Sequence, residues 1–195
     1  MTYKTLLHTL DQQARVEVET RRVHYRYNWD YEPVVGASRA VLAATRKLAD
    51  VLEKRGWTIQ KEKDCGRKTS LGWCNPNTKV IFIRPNKHAN SEFLTLVHEA
   101  VHAFEYETVG KNWPRGKEKK KGLMMEVVAE SVAAIVGQEF SLACVKRSMG
   151  YIAHHNACRD RRMNPVYPLD VEKRIDAAAD WLLDVLGLSQ MRLSI

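Results

Sequence analysis

Residues 94–107 read LTLVHEAVHAFEYE, and this stretch decides how the rest of the chain is read. Leu94, Val97, Val101 and Phe104 fall at helical spacing, which predicts an amphipathic helix with those four on its buried stripe. His98 and His102 are four apart, so both imidazoles project from one face and can converge on one ion. Glu99 projects about 100° round the helix from His98. There it can touch a water at the ion without filling a ligand position, which is the placement a general base needs. The segment is H-E-x-x-H. Asn90 or Ser91 supplies the expected N-cap, and Gly110 the stop after about Thr108.

A catalytic zinc ion commonly takes three protein ligands and keeps one position for water, so a third residue is required. The extended pattern H-E-x-x-H-x-x-G-x-x-H would place Gly at 105 and His at 108. The chain has Glu105 and Thr108, which excludes it. The other route takes an acid from a second helix. Residues 123–136, LMMEVVAESVAAIV, are apolar on nearly all sides, and their only polar residues are Glu126, Glu130 and Ser131. That composition predicts a buried helix over about 122–139. A buried carboxylate without a partner is costly, and Glu126 and Glu130 lie one turn apart on one face. A doubly charged ion explains the pair; buried basic partners or a partly exposed stripe are the competing explanation. Either acid could be the third ligand.

Taken together, H-E-x-x-H and the later E-x-x-A-E (Glu126 to Glu130) resemble gluzincin-type metallopeptidases. The resemblance implies zinc as the cofactor and Glu126 as the third ligand beside His98 and His102. It implies Glu130 as the carboxylate that orients one of the imidazoles. The run from the strand at 79–84 through both helices, Tyr151-Ile152-Ala153 and the terminal RIDAAADWLLDVLG covers roughly 78–187. It looks like the zincin-like domain of ArdC-type antirestriction proteins and, more distantly, the ImmA/IrrE peptidases. The implied fold is α+β, a small sheet packed on the H-E-x-x-H helix with further C-terminal helices. The implied activity is hydrolysis of peptide bonds in a peptide or protein substrate, with Glu99 as the catalytic base. In ArdC-type proteins a separate N-terminal domain binds single-stranded DNA, and residues 1–60 match the family less clearly. The alternative function is a non-proteolytic binding protein on the same scaffold, an antirestriction or DNA-associated factor of a phage or mobile element. A purely structural zinc site would leave Glu99 and an open fourth position without purpose.

The remainder of the sequence sets the frame. A chain of 195 residues, 45% hydrophobic and 28% charged, is expected to fold as one domain over 1–195 and is not disordered throughout. No apolar run is long enough to cross a bilayer, and MTYKTLLHTLDQQAR lacks the apolar stretch of a signal peptide. The four cysteines form no C-x-x-C pair and are expected to be reduced thiols. The expectation is a soluble, cytoplasmic protein with no membrane partner. Residues 3–13 read as a short helix and 16–29 as extended structure. Residues 37–55 read as a helix capped by Ser38, with Val41, Leu42, Leu48, Val51 and Leu52 recurring and Gly56 as the stop. Trp57–Lys63 and Lys79–Arg84 read as strands, with turn signals at Gly66, Gly72 and Asn75-Pro76 between them. The chain beyond 140 reads as helical, ending in a helix over 169–187.

Two further features bear on function. Tyr106, Tyr151, His154 and His155 are candidates for an oxyanion or substrate contact, since a zinc hydrolase benefits from a hydrogen-bond donor opposite the attacking water. The net charge is +8, and residues 111–121 carry six basic residues against Glu118, a local +5. That loop is a candidate DNA contact, although Trp113 is its only aromatic residue suited to base stacking. Lys146, Arg147, Arg159, Arg161 and Arg162 form a second basic cluster.

Overall fold

The computed structural model describes residues 34–62, 70–110, 119–144, 148 and 169–189. The readings of 3–13 and 16–29 lie outside them. The helix expected over 37–55 forms as α1, Arg39–Lys54. Its N-cap is Ser38, whose hydroxyl oxygen accepts from the Val41 amide at 3.1 Å. Val41, Ala44, Leu48 and Leu52 make the buried face, whereas Leu42, expected on that stripe, points away and is 42% exposed. The helix ends as a Schellman motif. Gly56 adopts φ 83°, its amide donates to Glu53, and the Trp57 amide donates to Leu52 at 3.0 Å. Trp57 and Leu52 are both buried, so this cap also delivers the chain into the sheet.

Three short strands follow: β1 (Thr58–Lys61), β2 (Gly72–Asn75) and β3 (Val80–Ile83). Their order is β1-β3-β2, with β1 parallel and β2 antiparallel to β3. β3 turns Ile81 and Ile83 into the core, while Phe82 on the other face stacks on Trp73 at 4.3 Å. Asn75 makes the turn into β3 by accepting the Asn77 amide on its side chain. Gly72, read as a turn signal, is instead in β2. A Cβ there would lie 2.7 Å from Thr95 Cγ2, 2.9 Å from the Phe82 carbonyl oxygen and 3.1 Å from Glu99 Cγ. The residue is glycine because β2 passes directly over the next helix.

That helix is α2, Ala89–Val109. It begins one to two residues before the expected cap because Asn90 and Ser91 have other work. The Ser91 hydroxyl accepts from the Val34 amide at 2.8 Å, and Asn90 Nδ2 donates to the Val35 carbonyl. His88 stands at the cap, and Gly110 (φ 58°) closes the helix as expected. Helix α3 runs Lys119–Glu139, taking the last three residues of the basic stretch into its first turn. From Met125 to Gly137 only Glu126 is not buried. The stretch expected to be helical begins with a turn over 140–144: Ser141 takes φ 55° and the Leu142 amide donates back to the Gly137 carbonyl at 2.9 Å. Helix α4, Leu169–Leu186, buries Val171, Ile175, Ala178 and Leu182 from the expected stripe. Helix α2 lies at the centre, touching the sheet, α1, α3 and α4. Among the described residues the architecture is thus α+β, four helices and a small mixed sheet. None of these helices is long and apolar enough to cross a membrane.

Candidate metal centre

His98 and His102 sit one turn apart on α2 with their rings nearly perpendicular, centroids 4.9 Å apart. Glu126 reaches them from α3. His98 Nε2 lies 3.2 Å from His102 Nε2 and 3.3 Å from Glu126 Oε2; His102 Nε2 lies 3.5 Å from Glu126 Oε1. Among the described residues, these are the three that could hold a metal ion together. Ligand atoms about 2.05 Å from a tetrahedral zinc ion stand roughly 3.3 Å from one another, so the spacing suits such an ion. Exposure of the three side chains rises from 9% for His102 and 13% for His98 to 32% for Glu126. The group therefore opens to solvent on its α3 side.

The electrostatics of the triangle favour a cation. Burial by itself disfavours the His98 imidazolium, yet hydrogen bonds to Glu126 and Glu130 and the charges of Glu126 and Glu99 raise its proton affinity well above the histidine norm. Burial likewise opposes the Glu126 carboxylate, but His102 and His98 hold its carboxyl far below the usual range. Without a metal, protons supply the positive charge that these converging lone pairs require.

Glu130 does not join the triangle. Its Oε2 lies 3.0 Å from His98 Nδ1, and its Oε1 accepts a hydrogen bond from the Ser148 hydroxyl at 2.6 Å. An ionised carboxylate only accepts, so Nδ1 carries a proton, and Nε2, facing Glu126 and His102, is left to take a metal ion or, without one, a second proton. Glu99 is buried beneath β2, its stem in the space that Gly72 leaves. Cys74, next on that face of β2, has its thiol pushed up by burial and then by the charge of Glu99. Neither Cys74 nor Cys144 forms a disulfide among the described residues. The ring of Tyr106 packs edge-on to Trp57, centroids 6.3 Å apart.

Tyr151, His154, His155 and residues 111–118 lie outside the described residues, as does the second basic cluster. Sequence reasoning missed Ser148, which stands in no pattern, and the closeness of Gly72 and Cys74 to Glu99. An isolated glycine inside a strand signals a close approach, and Gly72 carried that signal.

No protein-family model matches the chain, and no curated protein sequence does. Among solved structures it is similar to two crystal structures of the antirestriction ArdC protein from the R388 plasmid. The Mn(II)-bound one is 18% identical, with a TM-score of 0.44 over 84% of this chain and 56% of that one. The metal-free one is 17% identical, with a TM-score of 0.44 over 80% and 54%. The chain thus spans a little over half the length of the ArdC chain.

Proposed function

We propose that this protein is a zinc-dependent hydrolase of zincin type that cleaves peptide bonds. The observation that carries the reading is the triangle of His98 Nε2, His102 Nε2 and a Glu126 oxygen at 3.2–3.5 Å. Such close lone pairs repel unless a metal ion or shared protons lie between them, and one divalent ion can satisfy all three. In this reading His98, His102 and Glu126 hold the ion and Glu130 sets the tautomer of His98. When bound, zinc supplies a Lewis-acidic charge that polarises a carbonyl and makes water nucleophilic near neutral pH. Glu99, next to His98 but outside the triangle, accepts the proton of the attacking water on its carboxylate and passes it to the leaving amine. Its burial keeps competing water away from that proton.

A peptide substrate is supported by the edge strand above the site. Among the described residues β2 has a neighbour on one side only, β3. The Arg84 amide bonds to the Leu71 carbonyl, so Leu71, Trp73 and Asn75 face β3 and the backbone groups of Gly72 and Cys74 face the other way. An extended peptide can pair there, as strands commonly do at a sheet edge.

Zinc analysis of the purified chain, combined with a chelator-sensitive cleavage assay, tests the reading. Glu99→Gln is expected to keep one zinc per chain and lose at least about 100-fold in cleavage rate. Loss of zinc from that variant would instead make Glu99 a ligand.

The second reading is an antirestriction or DNA-associated factor that acts by contact; antirestriction is the role for which the ArdC protein is named. In this chain the net charge of +8 favours it. Zinc-loaded protein without chelator-sensitive cleavage, yet binding DNA with a steep salt dependence, decides for it.

A further inference from the structure

We propose that Ser148 is a positioning residue for the metal centre, acting through Glu130 on His98. The inference rests on the zinc-site reading above and extends it one residue outward. Ser148 is 2% exposed and Glu130 5%. The 2.6 Å contact between them is a short hydroxyl-to-carboxylate bond of the charge-assisted kind. With Ser148 donating to Oε1 and His98 Nδ1 to Oε2, both oxygens of Glu130 are held and its carboxylate plane is fixed. A fixed plane fixes the His98 ring and aims its Nε2 at the triangle.

The chain is built to bring Ser148 there. Gly137 lies two turns beyond Glu130 on α3, and a Cβ on it would stand 2.4 Å from Cys144 Sγ. Glycine inside a helix costs about 1 kcal/mol relative to alanine; here it lets the returning chain lie against α3. Leu142 bonds back to Gly137, and Cys144 Sγ points to the Ala134 carbonyl at 3.7 Å. The Ser148 amide then bonds to the Cys144 carbonyl at 3.0 Å, which holds Ser148 beside Glu130. The path from Gly137 through Cys144, Ser148 and Glu130 to His98 is continuous contact.

The test is zinc affinity of the full chain, measured by competition with a chromophoric chelator, for Ser148→Ala, Ser148→Thr, Glu130→Gln and the double variant Ser148→Ala/Glu130→Gln. Loss of a residue bonded directly to a ligand typically weakens metal binding about 10–100-fold. Ser148→Ala, one step further out, is expected at about tenfold, with a changed visible spectrum of the cobalt-substituted protein. Ser148→Thr, which keeps the hydroxyl, is expected to restore both. In the Glu130→Gln background, Ser148→Ala should add little, because the path is already cut. Unsubstituted protein that takes up no zinc overturns the site reading and this inference with it. Zinc binding left unchanged by Ser148→Ala, in a chain that does bind the ion, overturns the inference alone. Should Ser148→Ala not fold, Ser148→Thr and Glu130→Gln decide: tight binding by both removes the role of Ser148.

Discussion

At Gly72 one hydrogen in place of a methyl group determines whether Glu99 fits under β2. Gly72→Ala would drive a Cβ into Thr95, Glu99 and the backbone oxygen of Phe82, and the last of these cannot rotate away. The variant is expected to lose about 1–3 kcal/mol of stability, the usual range for overpacking. On the proposed hydrolase reading, cleavage should fall by more than that loss of folded protein explains, because Glu99 must shift. Chemical denaturation alongside the cleavage assay separates the two effects; a variant destabilised but fully active per folded molecule would show that β2 does not set the position of Glu99. Residues of this kind were only partly legible in the sequence. That His98, His102 and Glu126 would meet could be read because their chemistry shows as spacing along two helices. Ser148 could not, since its contact with Glu130 arises from a turn at Ser141 that no local pattern announces.

Among elements, α2 matters most, since it carries both histidines and touches the sheet and every other described helix. One of its ties is ionic. Glu105, buried at 4% exposure, accepts from Arg174 Nε of α4 at 2.6 Å. Arg174→Ala would leave a buried carboxylate without this partner. The expected loss is roughly 2–3 kcal/mol, below the roughly 3–5 of a fully buried pair because Arg174 is itself 30% exposed. Replacing both with Arg174→Met/Glu105→Leu should recover most of it, and equilibrium unfolding of the three proteins checks both figures. The elements themselves were largely legible: α1, the β3 strand, α2, α3 and α4 fall within a few residues of their expected bounds. The misses have two causes. Asn90 and Ser91 read as caps from their side chains, but those side chains bind the segment at Val34 and Val35, a partner more than 50 residues away. Leu42 counted toward a stripe by its apolarity, while the helix turned it to solvent.

For the whole molecule, the metal triangle predicts how stability follows pH. The raised proton affinity of His98 stabilises the metal-free fold fully below about 6.5, the ordinary histidine value, and that contribution fades as pH rises through the raised value. The lowered value of Glu126 contributes fully above about 4.5 and fades as pH falls. The metal-free protein is therefore expected to resist heat best between those two values, with Tm falling as pH rises beyond neutrality. With zinc the trend should reverse on the alkaline side, because the ion displaces the proton and binds better as protons become scarce. Melts from about pH 4 to pH 9 with and without zinc check this; identical curves would mean no ion binds at the triangle. An ion held by His98 and Glu126 would also tie together chain positions that lie 28 residues apart. Because the three ligands come together only in the folded chain, the ion stabilises by binding the native state and not by restricting the unfolded one. The cost of a longer loop grows only slowly, about 0.6 kcal/mol per doubling. The stretch between the two helices can therefore gain or lose residues while the staple at its ends holds.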